Sequence, residues 1–461
     1  MCIRDRLGSE INIGRGTFGD NFEALSGSVV NISGGTIGNS FNAQSGSVIN
    51  VSGGEFGTNF TSLAGSEVNI SGGQFFERNL LAFAGSDVTI SGGRFGSVNF
   101  FDGSSLELIG GEFEVDGQSF SGSTLDLTGF SILSGVLQDG SAFVFNISRA
   151  DVIRAEVTFT RVPLPEVNTA PVLIDSALSD FPNFFGQTIT LADGGEIGDF
   201  AVFGDSSLSI EAGVVGNRVA IAGGEVDISG GVVGDNFTAF PGTDVNISGG
   251  ETGDSFRVED GVTVNIAGGV VGDRFFARPG SVVNISGGTT GSGFAAGGGD
   301  VNISGGVVGD GFSLNLGSNV NITGGVVGDG FNSFSDGVIN ISGGVIGNNF
   351  NALAGTTIIS GGVIGDDFRV RGGTAIISGG VFGDNFFARF TTNTTIRGGQ
   401  FGIGFSASRS TLVGGAFELN GESFTGETIT LQPGDVFTGS LQDGSGFIFS
   451  TADGDLSLIH I

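Results

Sequence analysis

The chain has 461 residues with a formal net charge of −31, and 90 of its residues are glycine. All 17 basic residues are arginine, so the charge argues against nucleic acid, whose phosphates need clustered basic side chains. Glycine at this level excludes a helical repeat, and the rarity of proline, with no glycine at every third place, excludes collagen.

The chain opens on MCIRDR, residues 1–6, and closes on LSLIHI, residues 456–461. Neither fits what lies between them. Both resemble one transposon-adaptor DNA sequence translated on opposite strands, and both are set aside from fold reasoning. They hold the single Met, the single Cys and the single His. The expectation is a piece of a longer exported bacterial protein, with no disulfide framework and no apolar run of membrane-spanning length.

From residue 9 to residue 111 the chain repeats. The unit is V-N-I-S-G-G-x-[VIFT]-G-[DN]-x-F-x-x-x-x-G-S, and Gly-Gly recurs every 18 to 20 residues. A period of this size signals a solenoid. Val and Ile alternating with Asn and Ser predict a strand with one buried face. Gly-Gly turns the chain into a second short strand, Gly-Asp turns it again, and the run beginning at Phe forms a third. Such strands are too short for hairpins that share a core. They suit one coil of a parallel β-helix, in which each strand pairs with its copy in the next coil. The predicted fold is therefore all-β, a right-handed parallel β-solenoid with two capped arrays. One coil buries about five apolar side chains at roughly 1.5–3 kcal/mol each. Ordering its backbone costs about 1–2 kcal/mol per residue. Only stacked coils are stable.

Residues 110–146 break the pattern, and residues 414–450 repeat that break at 18 of 37 identical positions. Each follows a run of coils and is expected to cap it. The first module is placed at 7–160 and the second at 187–455. Between them, 161–186 reads as a proline-rich linker with Pro163, Pro165, Pro171 and Pro182.

Stacking turns each repeat position into a column. Phe41, Phe60, Phe237, Phe256, Phe275, Phe294, Phe312, Phe331, Phe350, Phe368, Phe386 and Phe405 form a predicted core column. The Asn of V-N-I-S forms an outward amide column. A third column, Asp235, Asp254, Asp273, Asp310, Asp329, Asp366 and Asp384, follows the turn glycine, as do Asp20 and Asp199. Closely stacked carboxylates repel, and such oxygen-rich sites suit Ca²⁺, so these seven positions are candidate calcium ligands. The alternative is a turn Asp that accepts from its own backbone. No His or Cys lies between the set-aside ends for acid–base or nucleophilic chemistry, and no enzyme is expected.

GGVVGDNF resembles the calcium-binding nonapeptide repeat of exported toxins, with its Gly and Asp adjacent and the period at 19. The coils resemble those of pectin-lyase-like β-helices, and the repeat character resembles large exported adhesins of environmental bacteria. These resemblances imply an extracellular or cell-surface scaffold or adhesin, with glycans or cell-surface proteins as partners. The alternative they imply is a polysaccharide-binding or polysaccharide-degrading protein. Its nearest arginine clusters are Arg257, Arg274 and Arg278, and Arg369, Arg371 and Arg389.

Overall fold

A computed structural model describes residues 7–75, 80–96, 98–115, 118–126, 132–146, 152–153, 155–165, 171–178, 183–199, 202–204, 206–334, 336–407, 410–432, 434–450 and 458–460. The fold is a parallel β-solenoid, and among the described residues there is no helix. In the first array the strands Glu10–Ile13, Val29–Ile37, Val48–Phe56, Glu67–Phe75, Asp87–Phe95 and Ser105–Val115 lie side by side in parallel. A second sheet runs up another side, from Glu23–Ala24 to Val98–Phe100, and ends on Val152–Ile153. In the second array the pairings join all strands into one 37-stranded sheet that winds around the core.

Register follows sequence copy for copy. Asn246 pairs with Asn265, Asn265 with Asn284, and Asn284 with Asn302. The alternation in V-N-I-S puts Val264 and Ile266 inside and Asn265 outward. A one-residue slip would expose every one of these apolar side chains.

Gly-Gly acts differently in the two arrays. In most of the second it separates two strands, as Thr263–Ile266 and Val270–Val271, but in Thr374–Phe382 and Asn393–Phe401 it again lies within one. In most of the first it sits inside one strand, as a register shift between Val29 and Ile37. The expected turn is there a bulge. Both forms need glycine, because a Cβ on Gly34 would stand 2.7 Å from the Gly14 carbonyl oxygen, and Gly35 has a φ of +91°.

The two arrays have separate apolar cores, one from Ile13 to Phe159 and one from Ile174 to Phe449. Stacking in the second starts within the stretch expected as linker: Val172–Ile174 pairs in parallel with Thr188–Leu191. Each array is followed by an antiparallel unit of the same register. Gly110 pairs with Leu137 in the first, and Gly414 with Leu441 in the second. The first unit's strand Ala142–Asn146 lies against the early strands Asn183–Phe185 and Val202–Gly204 of the second array. Leu458–His460 runs parallel to Ser410–Leu412 and antiparallel to Thr428–Thr430. Glu156–Arg161 makes the equivalent pairings in the first module.

Candidate functional site

The phenylalanine column lies inside. Phe312 and Phe331 are fully buried and stack at 4.8 Å, and Phe331 and Phe350 at 4.6 Å. At its end the column continues into the antiparallel unit, where Phe405 stacks on Phe449 at 3.9 Å. These rings are core, and they offer no platform to a sugar.

The asparagine column is an amide ladder on the outer face. Asn265 Nδ2 donates to Asn246 Oδ1, Asn284 to Asn265, and Asn302 to Asn284, each at 2.9 Å.

The aspartate column has a partner that the turn reading did not supply. Each Asp Oδ1 accepts a backbone N–H from the following coil. Asp254 N donates to Asp235 at 2.8 Å, Asp273 N to Asp254 at 2.9 Å, and Ser292 N to Asp273 at 2.7 Å. Asp310, Asp329, Asp366 and Asp384 do the same for Asp329, Asn348, Asp384 and Ile403. The Gly before Asp now has a reason. A Cβ on Gly253 would sit 2.4 Å from Asp235 Oδ1, so glycine leaves the space that the previous carboxylate fills. Among the described residues, no three acidic, His or Cys side chains converge as a metal cluster.

The residue after Asp went unrecognised in the sequence. Asn236, Ser255, Arg274, Asn349, Asp367 and Asn385 have φ between 59° and 62°, and Gly293, Gly311 and Gly330 share the φ of +74°. Left-handed backbone there sets the corner before the buried Phe. The run of Asn, Ser and Gly at this place was the available signal.

The corner that opens many of the coils is held by a buried hydroxyl. Ser47 Oγ donates to the Gln44 carbonyl at 2.7 Å, Ser281 to Arg278 at 2.6 Å, and Ser318 to Asn315 at 2.7 Å.

The arginines do not gather into one site. Arg274 pairs with Asp254 at 3.0 Å on the turn. Arg278 lies at a different corner, 3.1 Å from Glu259, whose side chain is only 6% exposed. Arg369 is tied to Asp367 at 2.7 Å. Arg371 and Arg389 project from consecutive coils next to it.

One groove of 740 Å³ runs along the first array. Its floor is the Gly-Gly column from Gly34 to Gly93, and Thr36, Glu55, Gln74 and Arg94 line it. The loop Asp139–Ser141 of the antiparallel unit closes one end. There Asp139 Oδ2 accepts from Gly93 N at 2.9 Å, and Ser141 Oγ donates to the Gly93 carbonyl at 3.0 Å. Asp443 and Gly399 repeat the first contact at 2.9 Å in the second array.

Among the described residues no helix is long and apolar enough to cross a membrane. No protein-family model, no curated protein and no solved structure matches the chain.

Proposed function

We propose that this chain is a rigid scaffold from a bacterial surface or secreted protein, and that it acts by spacing or adhesion without catalysis. The observation that carries the reading is the unbroken ladder. In the second array every coil pairs in parallel with the next; the Phe column runs with it, and the Asn ladder as far as Asn340. From Thr188–Leu191 to Ser410–Leu412 the coils stack along one direction. At about 4.8 Å per coil this makes a rod of roughly 60 Å. Its acidic surface favours solubility of a glycine-rich chain outside the cell. The two modules serve as repeated units of such a rod.

Calcium at the seven stacked aspartates belongs to the same proposal. Each uses one carboxylate oxygen for the backbone, and all but Asp254, whose Oδ2 is paired with Arg274 at 3.0 Å, have the other for a cation. A second reading, a polysaccharide-binding or polysaccharide-degrading protein, has the groove over Gly34–Gly93 in its favour.

Antibody labelling of intact and permeabilised source cells tests the location. Labelling of intact cells is expected, and labelling only after permeabilisation overturns the reading. Glycan-array binding together with a lyase assay separates scaffold from enzyme. Glycan cleavage by the purified chain would replace the scaffold reading with the enzymatic one.

A further inference from the structure

The second glycine of each Gly-Gly pair has a positive φ, and its value sorts by the inward residue two places further on. Before Thr252 and Thr290 it is 69° and 68°. Before Val215, Val233, Val271, Val308 and Val327 it lies between 71° and 79°. Before Ile346, Ile364 and Ile37 it is 78°, 86° and 91°. Before Phe56, Phe75, Phe382, Phe95 and Phe401 it rises from 101° to 111°. A larger inward side chain pushes the corner of the coil outward. Small residues keep a tight form, in which Ser248 N and Gly249 N both donate to the Ile228 carbonyl, at 2.8 and 3.2 Å. With phenylalanine the pair is drawn out into a bulge within one strand, as in Val48–Phe56 and Thr374–Phe382.

Position in the stack does not explain the series. Gly16 and Gly325 each lie four coils before the glycine that an antiparallel unit holds, Gly93 and Gly399. With Phe18 the first has a φ of 97°, and with Val327 the second has 76°. Both antiparallel units engage a phenylalanine coil. Asp139 Oδ2 accepts from Gly93 N, two residues before Phe95, and Asp443 Oδ2 from Gly399 N, two before Phe401, both at 2.9 Å. The loops that do so are the same five residues, Leu-Gln-Asp-Gly-Ser, at 137–141 and 441–445. Each is also tied to the main chain of that coil. Asp139 N donates to the Ser91 carbonyl and Asp443 N to that of Arg397, both at 3.1 Å. The ring beneath takes part as well. Phe95 meets Phe145 edge-on at 6.0 Å, and Phe401 meets Phe405, which stacks on Phe449.

We infer that phenylalanine at this inward position marks the coils on which an antiparallel unit can seat. The partner such a coil fits is a Leu-Gln-Asp-Gly-Ser loop followed by a strand with a buried phenylalanine, Phe145 or Phe449. The drawn-out pair presents its second N–H to the aspartate, and Oδ2 fills the space that a Cβ on Gly398 would need. In the tight form the first N–H of the pair is spent on the carbonyl of the coil before, as Gly249 N is on Ile228. Coils of nearly identical sequence otherwise give a unit no means of telling the last from the rest. Threonine and valine from Val233 to Val327 keep the middle of the second array unreceptive, and Ile346 and Ile364 lead to the receptive pair Phe382 and Phe401. The mark is necessary and not sufficient. Phe56 and Phe75 carry it too, and there the short connection from Phe95 into the unit selects Gly93.

Crystal structures and hydrogen exchange of the full chain carrying Phe401→Val or Phe382→Val test it. The two variants lose the same atoms one coil apart, and only the first lies under a seated loop. Phe401→Val is expected to return Gly399 to between 71° and 79°, the range seen before valine. The amides of 442–445 should then exchange at least about tenfold faster, the factor for losing one charge-assisted bond. Phe382→Val should shift Gly380 and leave exchange at 442–445 as in the parent. If Phe401→Val does not fold, Phe401→Ile replaces it, with Gly399 expected between 78° and 91° and a smaller rise in exchange. Gly399 held near 111° in the variant would show that the inward residue does not set the shape. A changed φ with unchanged exchange would show that the unit seats on either shape. Equal loss of protection in both variants would reduce the effect to lost packing. Each of these outcomes overturns the inference.

Discussion

Asp235 Oδ1 accepts the backbone N–H of Asp254 at 2.8 Å, so one coil's side chain completes the next coil's backbone. The contact spans 19 residues of sequence and a single layer of stacking. It needs an acceptor oxygen and no charge. Asn39, Asn217 and Asn348 fill the same place, accepting from Thr58, Asp235 and Asp366 at 2.7 to 2.9 Å.

Asp329→Asn should therefore be nearly neutral, whereas Asp329→Ala should cost about 1 kcal/mol, the usual net worth of one hydrogen bond. Urea unfolding of both variants measures this. Equal losses would show that the charge matters and the acceptor does not.

Phe331→Ala should cost about 3–5 kcal/mol, because the neighbouring rings of Phe312 and Phe350 cannot close the cavity in a ladder of fixed spacing. An unchanged denaturation midpoint would contradict its place in the core.

Calcium should raise the melting temperature of the second module more than sodium chloride of equal ionic strength does. A cation bound to the folded state alone adds about 2.7 kcal/mol at a hundredfold excess over Kd. Equal melting in calcium, in chelator and in sodium chloride would leave Asp235, Asp254, Asp273, Asp310, Asp329, Asp366 and Asp384 as backbone acceptors only.

The seat of the second antiparallel unit should weaken in acid. Burial works to raise the Asp443 carboxyl, but the Ser445 hydroxyl and the N–H groups of Ser445 and Gly399 outweigh it and hold it below the usual 3.8. A lowered folded value means that the stabilisation is present above the unfolded pKa and is lost as pH falls through the folded one. Asp443→Asn should remove that dependence below about pH 4. Thermal melts across pH, parent against variant, read the difference, and identical pH profiles would refute it.

Residues 7–160 and 171–455 should each fold alone, because each holds its own apolar core. Soluble, cooperatively melting fragments are the expected outcome. Two insoluble fragments from a soluble parent would make the whole one continuous unit.

Period, strand alternation and the phenylalanine core were legible in the sequence because each depends on spacing alone. Phe331 and Asn265 stand where their repeat positions put them. The partners of charged residues were less legible. Arg274 meets Asp254 and Arg278 meets Glu259 one coil away, so neighbours in space are separated by a full period in the chain. For the same reason the Asp column looked like a set of local turns. Val172–Ile174 was hidden for another reason: the first coil of an array pairs on one side only and carries no Gly-Gly of its own.

Hydrogen bonds join each coil to the one before it, and others, such as Ser255 N to the Asp273 carbonyl at 2.8 Å, reach forward to the next. Asn284 reaches back to Asn265, Asp273 N to Asp254, and Phe276 N to the Phe256 carbonyl. They lie along the direction of stacking, so a pull on the two ends of the rod loads them in series. Beyond the last coil the stack meets only the antiparallel unit, which joins it through Leu458–His460 and the Phe405–Phe449 contact. Tension would therefore peel the array from an end in small, nearly equal yields, each releasing one period of chain. A sideways push meets all the coils together and is resisted by the whole stack.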